Sequence, residues 1–242
     1  MKIDLYPNWK TIEGFVFDRK YDIAIDALLD FIDQAINDKN QDTIFTIIEL
    51  LKKVCDKRQE YTEKIIPKLR VLLSHHDDFI RREAIDIVKL IALFDVKLLE
   101  PIMENITAKI YDSDKTIREI AAEIIFLICK NGSSCGLVFK QDEYVHYMIV
   151  LLKDPSWRIR ANVLKWLSEI IQSVSVELRK KVLSAVYRTK NDESDEVRLQ
   201  AAFTIHKIGV LLPKEDRESL RIVIEGYLSN EDWLVLEKGL WI

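Results

Sequence analysis

Four histidines, His75, His76, His146 and His206, are the natural metal or general-base candidates in this chain. None is followed by glutamate, and none stands at a metal-ligating distance from a cysteine. His75 and His76 read as a helix end in a wet turn. The cysteines are Cys55, Cys129 and Cys135. A nucleophilic thiol needs a cation or base beside it to lower its pKa, and nothing near Cys135 offers one. Cys129 falls on an apolar helix as a core residue. Gly132-Ser133-Ser134-Cys135-Gly136 is neither a phosphate-cradling loop nor a dinucleotide fingerprint. It is expected to be a helix stop, with Asn131 or Gly132 at the C-cap, followed by a polar turn. The sequence therefore assigns no catalytic residues, no metal and no cofactor.

The residues that do recur are arginines. Arg81, Arg118, Arg160 and Arg198 each follow an acidic turn and an Ile or Val, and each precedes a small or apolar residue three positions on. The steps between them are 37, 42 and 38 residues. A ladder of this kind has two uses. It is a basic strip for phosphate or acidic peptide, or a structural tie in which each arginine meets acids such as Asp77, Asp114 or Asp154 at the adjoining turns. The structural tie is the expected use, because each unit of a repeat stack is stabilised mainly by its neighbours.

A period near 38 residues is right for two helices and two turns. After Arg81 come Ala84, Ile85, Val88 and Ile91; after Arg198 come Ala201, Ala202, Ile205 and Ile208. Spacings of three and four place these on one helical face. The acids just ahead sit where N-cap and first-turn residues accept hydrogen bonds from free amides. A first helix is expected before each, as at 61–73, 99–110, 143–152, 176–187 and 216–228. Weaker copies flank the four: Asp42 to Ile48 has Phe45 in the arginine place, and Asp232 to Val235 lacks the arginine. Glycine and proline number only 6 and 5, which suits long helices and short turns.

Asp–x–x–Val/Ile–Arg–x–x–Ala at this period resembles the second-helix signature of HEAT repeats, and Pro67 and Pro101 fit that family's first-helix proline. The resemblance covers about residues 20–242 and departs at both ends and at Val163, which replaces the usual alanine. The step of 42 marks an insertion at 131–136. The resemblance implies an all-α, α–α superhelix (solenoid) of about six helical hairpins. The expected organisation is a single domain over 1–242, with atypical capping repeats at about 1–58 and 213–242. It also implies that second helices line the groove. Deoxyhypusine hydroxylase, an iron-binding relative of this architecture, uses repeated His-Glu pairs, and none occurs here.

Counting from each arginine, positions +2, +5 and +9 tend to be polar. They give Glu83 and Asp86, then Glu123, then Asn162, Lys165 and Glu169, then Gln200 and Lys207. If they face inward, the groove is acidic in its first half and mixed in its second, a surface for a protein or peptide partner. The alternative is a solvated face. At the C-terminal end, Trp233, Leu236, Leu240 and Trp241 have little polar cover. They pack back on the fifth repeat, or form a homodimer contact or docking surface.

A formal charge of −4 gives no global pull toward nucleic acid. No segment approaches 18 uncharged apolar residues, so no membrane span is expected, and the N-terminus lacks an apolar core of signal-peptide length. Three cysteines without a framework indicate free thiols and a cytoplasmic protein. The function expected is a non-catalytic scaffold or adaptor that binds a macromolecular partner. One alternative is a DNA-acting enzyme resembling the HEAT-like alkylpurine glycosylases, with Trp157, Trp166 and Glu169 as its groove residues; packing between repeats is the other role for those tryptophans. A further alternative is an accessory subunit resembling the HEAT-like bilin lyases.

Overall fold

The computed structural model describes residues 9–38, 40–57, 59–131 and 141–213. All regular structure among the described residues is helical. The helices are α1 (Trp9–Phe17), α2 (Tyr21–Asn37), α3 (Gln41–Lys57), α4 (Thr62–Leu73), α5 (Asp78–Phe94), α6 (Met103–Ala108), α7 (Lys115–Asn131), α8 (Gln141–Leu151), α9 (Trp157–Ile170), α10 (Val176–Tyr187) and α11 (Asp195–Leu211). The chain packs as two compact units divided between Leu127 and Ile128.

In the first unit, α2 pairs with α3 and α4 with α5, while α3 also packs on α5. In the third hairpin α7 follows a broken first helix. There the chain runs as a 3-10 segment over Val96–Ile102, a short α6, and a second 3-10 turn over Lys109–Tyr111. Pro101 lies inside the first of these segments. It has no amide hydrogen to donate, and α-helical geometry resumes only at Met103. Pro67 is carried within α4. In the second unit, α8 pairs with α9 and α10 with α11, and α9 packs along α11.

The interior follows the arginine register. Ala84, Ala121, Val163 and Ala201, each three residues after an arginine, are fully buried. Ile85, Val88 and Ile91 of α5, and Val163, Leu164 and Leu167 of α9, are likewise closed to solvent. Each such side chain contributes roughly 1.5–3 kcal/mol by leaving water. Cys55 and Cys129 are buried free thiols within this core, and burial pushes both up to about 12. Thr204 is also fully buried, and its hydroxyl donates to the Leu164 carbonyl at 3.0 Å, which ties α11 to α9.

Asp77 begins α5 by accepting from the Phe79 and Ile80 amides. Asp114 begins α7 by accepting from the Ile117 amide at 3.0 Å. Ser175 does the same for α10, from Leu178. Arg179 stabilises the opposite ends: its guanidinium donates to the Ile171, Gln172 and Leu211 carbonyls, where α9 and α11 finish. The sequence reading did not single this residue out.

No helix among the described residues is long and apolar enough to cross a membrane. The expected sixth hairpin, with Trp233, Leu236, Leu240 and Trp241, falls outside the described residues, as does the turn expected at 132–136 with Cys135.

Candidate functional site

The four arginines make one repeated contact. Arg81 donates through Nη1 to the His75 and His76 carbonyls, both at 2.9 Å. Arg118 does so to Asp112 and Ser113, Arg160 to Asp154 and Pro155, and Arg198 to Asp192 and Glu193. Each guanidinium thus closes the turn that precedes its own helix.

Arg81 and Arg160 also reach into the next repeat. Arg81 Nε and Nη2 grip the Asp112 carboxylate, each at 2.8 Å. Arg160 grips Asp192 in the same fork, at 2.8 and 2.7 Å. Burial works against the charge on Asp112, but the Arg81 fork, the Asp114 amide and Lys109 outweigh it and hold the carboxyl at about 2. Asp192 is held below the usual range in the same way, by Arg160 and the Ser194 amide against the cost of burial.

Two of the acids expected to meet the ladder arginines, Asp77 and Asp114, need correcting. Asp77 spends its carboxylate on the amides that open α5. Asp114 does so for α7 and otherwise pairs with Arg82 at 2.7 Å. Asp154 is different: it offers Arg160 its carbonyl, and its carboxylate accepts from the Ser156 amide at 2.8 Å, the place that Asp112 and Asp192 hold in their own turns. An acid at a helix start aims at the free amides ahead of it, so the guanidinium finds the acid of the following turn instead.

His75 occupies the place that Asp112, Asp154 and Asp192 fill in later turns, six residues before an arginine. Its Nδ1 accepts from the Asp77 amide at 3.1 Å, as those carboxylates accept from Asp114, Ser156 and Ser194. Burial and the neighbouring His76 push its pKa down, which suits a neutral acceptor. The second helix of the preceding hairpin, α3, carries Phe45 in place of arginine, and that ring packs on Phe79 with centroids 5.0 Å apart. Loss of the donor and loss of the acid go together.

The polar positions on the second helices separate into two groups. In the first unit, Lys52 of α3 contacts Glu83 at 2.5 Å and Asp86 at 3.3 Å. Lys89 of α5 contacts Glu123 at 2.8 Å. The acids expected to line an acidic half are thus met by lysines from the preceding second helix. Lys52→Asp86 and Lys89→Glu123 span the same 34 residues, so one stagger between second helices serves both. In the second unit, Lys130 contacts Glu169 at 3.3 Å, and Lys207 donates to the Ser168 hydroxyl at 3.4 Å.

Asn162, Lys165 and Gln200 are brought together. They line an open cleft of about 390 Å³ between α9 and α11, with Trp157, Arg158 and Glu196. Trp157 is 43% exposed, which is not the packing role set out for it. The Arg158 guanidinium lies 5.5 Å from the centre of its ring. Gln200 donates to Glu196 at 3.1 Å. Trp166, on the same helix, is half-buried.

Residues 145–174, which run from within α8 to just past α9, match the family described as HEAT repeat. The chain carries a HEAT repeat there. The match covers one repeat, the one that carries Arg160. No curated protein sequence matches the chain. Solved structures similar to this chain include a computationally designed armadillo repeat protein for modular peptide recognition, at 18% identity and a TM-score of 0.59, covering 82% of this chain and 92% of that one. Another designed armadillo repeat protein, solved in complex with the peptide (KR)4, is 20% identical with a TM-score of 0.59 over the same shares of the two chains. Cex1p is 18% identical, also with a TM-score of 0.59, and the match covers 86% of this chain and 43% of that one. These likenesses show the helical-repeat fold.

Proposed function

We propose that this chain is a non-catalytic docking protein, a scaffold or adaptor that holds a segment of a protein partner on its second helices. The α9–α11 cleft carries the proposal. It sets a half-exposed tryptophan beside amide and charged side chains, the mix that anchors one apolar side chain and orients a backbone. A designed protein of the same fold holds a peptide, which supplies a precedent for this use of the surface. The buried free thiols Cys55 and Cys129 agree with a cytoplasmic setting.

The test is capture of partners from an extract of the source cell, with the wild-type chain and with Trp157→Ala/Gln200→Ala as baits, read by quantitative mass spectrometry. A protein recovered by the first and depleted with the second supports the cleft. Equal recovery by both baits refutes it, and recovery of nucleic acid alone refutes the docking function.

A further inference from the structure

The cleft is lined by two cations, Arg158 and Lys165, against one carboxylate, Glu196. Lys52, Lys89, Lys130 and Lys207 all have polar partners on the next or preceding second helix. Among the described residues, Arg158 and Lys165 have no carboxylate partner, though both are exposed. Each nearby carboxylate has another contact, although Glu196 meets only a neutral amide and keeps its charge in the cleft. Glu193 and Asp195 are held by Arg160 and Arg198, and Glu196 accepts from Gln200.

The backbone adds to the imbalance. A helix N-terminus carries partial positive charge that acids normally offset. Helix α5 has Asp77 and Asp78, α7 has Asp114, and α11 has Asp195 and Glu196. Helix α9 opens on Trp157-Arg158, has no acid in its first turn, and its N-cap Ser156 makes no side-chain cap bond.

We infer that the α9–α11 cleft takes an acidic peptide segment. A carboxylate side chain sits between Arg158 and Lys165, an apolar neighbour lies on Trp157, and Asn162 and Gln200 meet the peptide backbone. The inference rests on the docking reading above and adds the chemistry of the partner. Stacking on Trp157 leaves the edge of the Arg158 guanidinium open, and that edge is the fork that binds carboxylate through two hydrogen bonds. Nucleic acid fits the site less well. Two cations beside Glu196 do not make the run of positive charge that a phosphate backbone requires, and the chain carries a net charge of −4.

The experiment is selection from a random peptide library on the full chain, on Arg158→Glu/Lys165→Glu and on Trp157→Ala. Affinities of selected peptides are then measured by fluorescence anisotropy, with circular dichroism to confirm that the variants fold. The expected result is enrichment of Asp and Glu on the wild-type chain. Charge reversal should weaken those peptides by about thirtyfold or more and select Lys and Arg instead. Lys- or Arg-rich peptides on the wild-type chain that depend on Trp157 would overturn the acidic class and leave the docking reading standing. Peptides indifferent to both variants, or no selected peptide, would overturn both readings. Displacement of the peptides by a labelled single-stranded oligonucleotide, lost on charge reversal, would overturn a peptide partner.

Discussion

Replacing Arg81 with alanine tests the account of the inter-repeat tie most directly. The side chain is 10% exposed and makes four hydrogen bonds, two to Asp112 and two to turn carbonyls. Asp112 is 4% exposed and would lose both arms of its fork. It would keep the Asp114 amide at 3.1 Å and Lys109 at 3.2 Å. Leaving one partner of a buried pair unpaired costs about 3–5 kcal/mol, and the two remaining donors place the loss near the lower end. A second signature comes from pH. The folded carboxyl lies at about 2 against an ordinary 3.8, so it contributes stability above that ordinary value and loses it as pH falls toward 2. That depression corresponds to roughly 2 kcal/mol, and most of it should vanish with Arg81. Denaturant unfolding followed by circular dichroism near neutral pH and again in acid measures both effects, and hydrogen exchange localises them to residues 75–82 and 112–118. A loss below about 1 kcal/mol, typical of a surface pair, would refute the reasoning, as would an unchanged acid response.

Two further outcomes follow from the same geometry. Phe45→Arg with His75→Asp should install a new tie between the first two hairpins, each single change being destabilising and the pair recovering about 1–3 kcal/mol of coupling in a double-mutant cycle; additive losses would show that the first hairpin lacks the register of the others. Cys55 and Cys129, with thiols pushed up to about 12, should resist iodoacetamide at a pH of about 8 until the protein unfolds. Labelling of the native protein at the rate of a free cysteine would show that the core opens.

The hairpins were legible because a period of two helices repeats a chemical mark, and Arg81, Arg118, Arg160 and Arg198 do land at equivalent points of α5, α7, α9 and α11. The partners were not legible. Whether Arg81 meets Asp77, Asp112 or Asp114 depends on which carboxylates are already committed to helix caps, and only the fold decides that. The lysines opposite Glu83, Asp86 and Glu123 escaped for a related reason: their contact depends on the stagger between neighbouring helices, which spacing within one helix does not encode. The signal was present in the equal 34-residue offsets of Lys52 to Asp86 and Lys89 to Glu123. At the cleft, Asn162, Lys165 and Gln200 were found by register. Trp157 was noticed but given to packing, because a tryptophan in the first turn of an amphipathic helix gives no sign of which way it points.

The fork from Arg81 to Asp112, repeated from Arg160 to Asp192, gives the chain a direction. Each of these two joints has a plug on the upstream hairpin and a socket on the downstream one, so a hairpin duplicated whole with both fittings can join a row of its own kind. The joint between the first two hairpins breaks that rule, because its socket is the neutral imidazole of His75 and its plug is a phenyl ring. A charged hairpin inserted ahead of α4 would bring an arginine with no acid to receive it. Growth by duplication can therefore proceed among the charged joints but not across the neutral one ahead of α4.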